Sequence, residues 1–321
     1  MIPAPDKLTI CFAHVAYQLH EQFSTLGTGI ASFAVRDAEM LADRIGEADV
    51  LVISGLWNNA LLERAGKLKY IQSIGAGTDQ FPRDELAKRG IRLASAQGVN
   101  MRAVAEHAMA LILALARRIP EGRDNQARRH WRGMIADIPG REDELGGKTL
   151  LIAGLGQIGG RLAQLAKAFD MRVIGLRRNP SAGGPADVVR PMGELKALLP
   201  EADFVALTCP LTPETTNLID AAALSRMKRA AYLVNVARGR VVDEVALVTA
   251  LRSGEIAGAA LDVTVEEPLG EASPLWSMPQ VLITPHTAGE TRKYEDNVIA
   301  ILRDNLGRLS RGETTLRNQV V

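Results

Sequence analysis

Residues 149–163, TLLIAGLGQIGGRLA, constrain this chain more than any other stretch. Thr149, Leu150, Leu151, Ile152 and Ala153 form a short apolar run that reads as a buried parallel strand. Gly154, Gly156 and Gly159 follow in the spacing G-x-G-x-x-G, and a helical pattern then runs through Leu162, Leu165 and Ala166. The first glycine permits a tight turn off the strand, and the second lets the backbone approach a pyrophosphate. The third lets the new helix pack closely on the sheet, with its positive N-terminal end toward the phosphates. Alone such spacing is weak, because glycine-rich turns are common. A strand before it, a helix after it and a second strand over 172–176 supply the context that a dinucleotide site requires. An ordinary βα turn is the alternative.

A chain of 321 residues is long enough for two domains with separate cores. Its 47% apolar and 23% charged residues are those of a globular protein. A net charge of +1 provides no field that would draw nucleic acid or an anionic membrane. Cys11 and Cys209 sit in apolar runs without metal or redox spacing, so no metal is expected and a reduced, cytoplasmic protein is. The opening MIPAPDKLTICF lacks the basic region and long apolar segment of a secretory signal. The longest apolar run, 108–116, is too short to span a bilayer and reads as a buried helix.

Strands are predicted at 8–15, 49–54, 70–74 and 91–95, with helices at 61–68 and 83–89 between them. A long helix is predicted over 101–118, continuing less clearly to about Trp131, and a polar, glycine-containing segment (133–147) leads into the glycine motif. Further strands are predicted at 172–176, 204–208, 232–236, 257–262 and 281–284, with helices at 192–199, 221–227 and 243–252. A last helix over 288–309 is expected to return to the first domain. Alternating strands and helices specify α/β architecture. The expectation is two Rossmann/flavodoxin-like parallel-sheet domains with a cleft between them. One is discontinuous, residues 1–100 plus 288–321; the dinucleotide-binding domain is 101–287.

Three predicted strand ends carry reactive side chains. Arg238 follows the strand ending at Val236, Asp262 ends the next strand with Glu267-Pro268 beyond it, and Thr284-Pro285-His286 ends the last. In an open parallel sheet such ends face the crevice where ligands bind. Singly, each has a bland explanation: a solvated loop arginine, a Glu-Pro turn, a structural histidine. Together on one nucleotide-binding sheet, Arg, Glu and His point to a site that handles an anion and a proton.

GAGTD (75–79), GVNMRAVAEH (98–107), GLGQIGG (154–160) and PLTPETTNLI (210–219) run in order along the chain. NVARGRVVDE (235–244), ALDVTVEEP (260–268) and TPHTAG (284–289) continue the series. With these segments the chain resembles the D-isomer-specific 2-hydroxyacid dehydrogenase family, glyoxylate and hydroxypyruvate reductases among them. The resemblance implies that His286 is the general acid when a 2-oxo acid is reduced. It implies that Glu267 orients this histidine and favours its protonated form. Arg238 would bind the substrate carboxylate and polarise its carbonyl. Backbone N–H groups of Ala76 and Gly77 would grip the carboxylate from the other domain, so that reaction requires closure of the cleft. Leu56 and Trp57 would shape the side-chain pocket, although the tryptophan has packing on its own domain as an alternative; Asn100 lies in a matching motif. Gly154, Gly156, Gln157, Ile158, Gly159, Cys209, Pro210, Thr215, Val236, Ala237, Asp262 and Gly289 would contact the cofactor, with Asp262 holding the nicotinamide carboxamide. His107, on an apolar helix, reads as a packing or hydrogen-bonding residue. Trp131 would reach toward a partner subunit in a homodimer formed through the dinucleotide-binding domain.

Formate dehydrogenases look similar around Asn100 and His286 but carry glutamine in place of Glu267, which points this chain toward carbonyl reduction. The NAD-preferring pattern places an acidic residue at the end of the second strand, roughly 20 residues after the glycines. Here Arg177 and Arg178 stand there. A guanidinium cannot accept from ribose hydroxyls but binds a 2′-phosphate bidentately, so NADP(H) is the expected cofactor, with NAD(H) as the alternative. The expected reaction is NADPH-dependent reduction of a small 2-oxo acid, such as glyoxylate or hydroxypyruvate, to the D-2-hydroxy acid. NAD-dependent D-2-hydroxyacid, phosphoglycerate or phosphite dehydrogenases share the Arg, Glu and His. A nucleotide-sensing corepressor is the rival from another class.

Overall fold

The apolar runs do form strands, and the strands assemble into two parallel sheets. The structure is a computed structural model and describes residues 2–321. The chain divides into two compact units, Met1–Asn100 with Thr291–Val321, and Met101–Glu290.

The first unit holds β1 (Thr9–Ala13), α1 (Leu19–Ser24), β2 (Ala31–Val35), α2 (Ala38–Arg44), β3 (Val50–Ile53), β4 (Tyr70–Ser73), α3 (Arg83–Lys88) and β5 (Arg92–Ala94). Its sheet order is β2-β1-β3-β4-β5, every pair parallel. Residues of β3 and β4 are buried throughout, because helices cover both sheet faces. Each leucine, isoleucine or valine so removed from water contributes about 1.5–3 kcal/mol. The C-terminal residues cover the sheet edge: Val320 N donates to Leu93 O at 2.8 Å, and Gln319 bridges Ala94 in the antiparallel sense.

The second unit opens with α4 (Met101–Ala116) and α5 (Ile119–Ala127). There follow β6 (Thr149–Ala153), α6 (Gln157–Ala168), β7 (Arg172–Arg177), β8 (Val188–Pro191), α7 (Leu195–Leu198) and β9 (Phe204–Leu207). The unit closes with α8 (Ala221–Leu224), β10 (Tyr232–Asn235), α9 (Glu244–Ser253), β11 (Gly258–Leu261) and β12 (Val281–Ile283). The order β12-β11-β10-β9-β6-β7-β8 is that of a doubly wound sheet, with the winding reversing between β6 and β9. One face packs Leu151, Ile174, Val205 and Leu233; the other packs Leu150, Val173 and Val234 against Ala105, Ala108 and Ile112 of α4 and Leu162 of α6.

Several predicted elements needed correction. β2 and β8 were not foreseen. Both are edge strands with half-exposed residues, so neither shows the continuous apolar run of a central strand. The expected helix at 61–68 is a 3₁₀ turn, Asn59–Glu63. Its helix-like apolar spacing reflects Leu61, Leu62, Ala65 and Leu68 each entering the core. The 101–131 helix breaks at Arg118, whose φ of 49° is left-handed, and restarts around Pro120, a residue tolerated only in a first helical turn. The last helix, α10 (Tyr294–Ser310), begins later than expected, after two turns closed by Glu290 N donating to Thr287 O and Tyr294 N donating to Thr291 O. α10 belongs to the first unit, where Val298, Ile301 and Leu302 join the cluster that contains Phe12 and Tyr70. No helix among the described residues is long and apolar enough to cross a membrane.

Candidate active site

At the winding reversal the three glycines differ in what confines them. Gly154 has φ +107°, and a Cβ there would lie 2.6 Å from Cys209 N. A Cβ on Gly159 would lie 2.3 Å from the Gly154 carbonyl and 2.8 Å from Thr208 Oγ1. Both positions therefore require glycine for the backbone to pass. A Cβ on Gly156 would meet no protein atom within 4 Å, so that side of the turn lies open. α6 starts directly after Gly156 with no side-chain cap, leaving the first-turn N–H groups, Gln157 and Ile158 among them, without a side-chain acceptor. Open backbone at an uncapped helix N-terminus fits a pyrophosphate.

A cavity of about 1010 Å³ adjoins this turn, lined by Gly154, Gly156, Cys209, Pro210, Thr215, Arg177 and Arg178 among others. Arg177 is half-buried and its Nη1 donates to Gly183 O at 2.5 Å, so one face of the guanidinium braces the following loop. Arg178 is exposed. Glu214 shares the cavity; the Thr212 hydroxyl, 2.7 Å from it, and the more distant Arg178 hold its carboxyl below the usual range. Thr215 Oγ1 accepts from Thr212 N and donates to Pro210 O, both at 2.7 Å, and so shapes its loop. Burial pushes the Cys209 thiol up to about 11, which keeps it neutral and unreactive. Gly175, not anticipated as part of the site, lets Leu155 close on β7: a Cβ there would lie 2.6 Å from Leu155 Cδ2. A glycine inside a strand is the signal that could have revealed it.

The ends of β10, β11 and β12 are neighbours on one sheet edge, and they carry the predicted reactive residues. His286 Nδ1 lies 2.7 Å from Glu267 Oε2, and Glu267 Oε1 accepts from Thr264 N at 3.1 Å. A carboxylate only accepts, so the imidazole proton sits on Nδ1 and Nε2 is left for another partner. The Glu267–Pro268 peptide is cis. His286 itself has φ +54°, and its N–H is held by Asp262 O at 2.8 Å and Thr284 O at 3.0 Å. Arg238 is exposed, with Nη1 donating to Ala237 O at 2.6 Å.

Two residues not singled out for the site set the Arg238 backbone. Asn235 Oδ1 accepts from Ala237 N and its Nδ2 donates to Arg238 O, each at 3.0 Å. A Cβ on Gly239 would fall 1.9 Å from Thr264 O, so glycine alone lets the Arg238 loop meet the Glu267 loop. Val236 and Ala237 are buried between them.

Asp262, 2% exposed, is occupied chiefly with its own neighbourhood. Oδ1 accepts from Thr284 Oγ1 at 2.6 Å and Thr287 N at 3.0 Å, and Oδ2 accepts from Ala288 N at 3.0 Å. Gly289 follows within the turn closed by Glu290 N donating to Thr287 O. His107 Nε2 lies 2.9 Å from Thr284 Oγ1, so this histidine does make a hydrogen bond.

The remaining candidates belong to the first unit. Ala76 and Gly77 follow β4 and are exposed, and their N–H groups have no acceptor among the described residues. Gly75 O, which accepts from Ala96 N and Ser73 Oγ at 3.0 Å, anchors this loop. Leu56 and Trp57 follow β3 and pack on the core of their own unit. The Trp57 ring meets Phe81 at 4.9 Å, and its Nε1 donates to Asn59 Oδ1. Asn100 immediately precedes α4. No group of three or more His, Cys, Asp or Glu residues placed to hold a metal occurs among the described residues.

Comparison with known proteins agrees with this architecture. Residues 109–288 match the model for the D-isomer specific 2-hydroxyacid dehydrogenase, NAD binding domain. The chain is 37% identical over 292 residues to glyoxylate/hydroxypyruvate reductase B of Yersinia enterocolitica, covering 90% of this chain and 89% of that one. It is 38% identical over 283 residues to D-3-phosphoglycerate dehydrogenase of Methanocaldococcus jannaschii. That match covers 86% of this chain but 52% of the relative, so the chain spans about half that protein's length. A D-isomer specific 2-hydroxyacid dehydrogenase family protein from Aeromonas salmonicida superposes with a TM-score of 0.84. It is 30% identical and covers 98% of this chain and 99% of its own.

Proposed function

Because the chain belongs to the D-isomer specific 2-hydroxyacid dehydrogenase family, we propose that it reduces a small 2-oxo acid, glyoxylate, hydroxypyruvate or a similar acid, to the D-2-hydroxy acid, using NADPH in preference to NADH. The observation that carries this reading is the His286–Glu267 pair at 2.7 Å, on a strand end beside the Arg238 loop and in the same unit as the glycine turn. Nicotinamide, when bound, supplies the hydride that the carbonyl carbon accepts. Gly154, Gly156 and Gly159, with the amides of Gln157 and Ile158, are suited to hold the pyrophosphate, and the remaining acceptor capacity of Asp262 Oδ2 is proposed for the carboxamide.

The chain's own residues then divide the work. Arg238 binds the carboxylate and draws charge toward the carbonyl oxygen. His286 Nε2 gives that oxygen its proton, while Glu267 holds Nδ1–H and fixes the ring. The exposed amides of Ala76 and Gly77, unpaired among the described residues, suit the first unit to the binding of a carboxylate, as a substrate domain. Arg178, with what Arg177 leaves unused beside Gly183, meets a 2′-phosphate.

Names of relatives support more than one substrate. A D-3-phosphoglycerate dehydrogenase is among them, which makes NAD-dependent oxidation of a D-2-hydroxyacid the second reading. Absorbance at 340 nm, pairing NADPH or NADH with glyoxylate, hydroxypyruvate and pyruvate, separates the two. Faster oxidation of NADPH than of NADH supports the proposal. A faster rate with NADH overturns the cofactor preference, and no rate with any 2-oxo acid overturns the reaction.

A further inference from the structure

We propose that His107 and Thr284 are positioning residues for His286, acting through Asp262 on the backbone that carries it. The inference rests on the reading of His286 as proton donor and goes beyond it.

The bonds form a directed chain. Thr284 Oγ1 donates its one proton to Asp262 Oδ1 at 2.6 Å. Its lone pair therefore faces His107 Nε2, 2.9 Å away, and that nitrogen must carry a proton. His107 Nε2 is also 3.5 Å from Asp262 Oδ1. So the imidazole, the hydroxyl and the carboxylate are joined in the order His107, Thr284, Asp262, with donation running toward the carboxylate.

Asp262 in turn takes hold of three consecutive amides. Its carbonyl accepts from His286 N at 2.8 Å, Oδ1 from Thr287 N and Oδ2 from Ala288 N, both at 3.0 Å. One residue thus fixes the peptide groups on both sides of the His286 side chain. This matters because His286 is at φ +54°, a left-handed conformation that a non-glycine residue keeps only when its surroundings impose it. The two carboxylate oxygens divide between the two amides, and the Thr284 hydroxyl, itself turned by His107, holds Oδ1 toward Thr287 N. α4, which carries His107, packs along α6 and across β10 and β11, so the chain of bonds is anchored on a rigid element. Catalytic geometry displaced by about 1 Å costs on the order of 10²-fold in rate.

Amide exchange at Thr287 and Ala288, measured by NMR, is to be read beside steady-state kinetics for Thr284→Val and Thr284→Ser. In Thr284→Val we expect both amides to exchange at least about tenfold faster and kcat to fall about 10- to 100-fold, with the KM for the 2-oxo acid within about twofold of the unmodified protein. Serine keeps the hydroxyl and should restore exchange and kcat together. His107→Leu and His107→Gln form a second pair, in which glutamine keeps a donor, and that pair decides the matter should Thr284→Val fail to fold. A purely structural bridge would lower Tm and leave kcat unchanged. The proposal is overturned by that result, by a change in exchange or kcat without the other, or by a loss that the conservative variant does not restore. Normal turnover without the joint response sinks this inference alone. Absent turnover in the unmodified protein sinks the functional reading and this one with it.

Discussion

His286 occupies a backbone region that costs a non-glycine residue about 1–3 kcal/mol, and two carbonyls on its N–H hold it there. With Nδ1 engaged by Glu267, only Nε2 remains to exchange a proton. His286→Ala should lower kcat by about 10²–10⁴-fold while cofactor Kd, followed by quenching of protein fluorescence, stays unchanged. A near-normal rate would remove His286 from the mechanism. The two arginines after β7 separate at the same scale. Arg177 is tied to Gly183 O, whereas Arg178 is exposed. Arg178→Ala should therefore raise the KM for NADPH about tenfold, equivalent to about 1.4 kcal/mol, and leave that for NADH unchanged. Arg177→Ala should do the same and also loosen the loop it braces. Equal effects on both cofactors would refute a 2′-phosphate role.

Among the elements, the critical contact lies between two loops at the sheet edge. Gly239 touches the Thr264 carbonyl so closely that any Cβ must push the Arg238 loop away from the loop that orients Glu267. Relieving such overlap typically costs about 1–3 kcal/mol. Gly239→Ala should thus lower Tm and reduce kcat sharply, yet leave cofactor affinity near normal, because the glycine turn after β6 is untouched. A variant with unchanged kcat would show that this contact does not set the site. Much of this level was legible beforehand. The central strands and the glycine turn follow from residues adjacent in sequence, whereas β2 and β8 did not show, since an edge strand buries too little to leave an apolar run.

For the molecule as a whole, the exposed side chains raise the question of a partner. Trp131 is 97% exposed, and Met134 and Ile138 nearby are also exposed. Such residues favour burial against a second copy, and we propose a homodimer formed through this segment. Light scattering coupled to gel filtration should give twice the monomer mass for the unmodified protein and a shift toward monomer for Trp131→Glu. A monomer at all concentrations would overturn the dimer.

By itself the sequence determined the α/β class, the glycine turn and the presence of Arg238, Glu267 and His286 on successive strand ends. Each of these depends on the conformation of a few contiguous residues or on strand order. The tertiary structure alone decided what those residues touch. The pairing of His107 with Thr284 spans 177 positions, the Gly239–Thr264 contact joins different loops, and Arg177 is bound to the turn beyond it. Hydrogen bonds between distant residues exist only once sheet register and helix packing have brought them within about 3 Å. For that reason the residues at the strand ends were readable in the chain, and the hydrogen bonds that join them to distant elements were not.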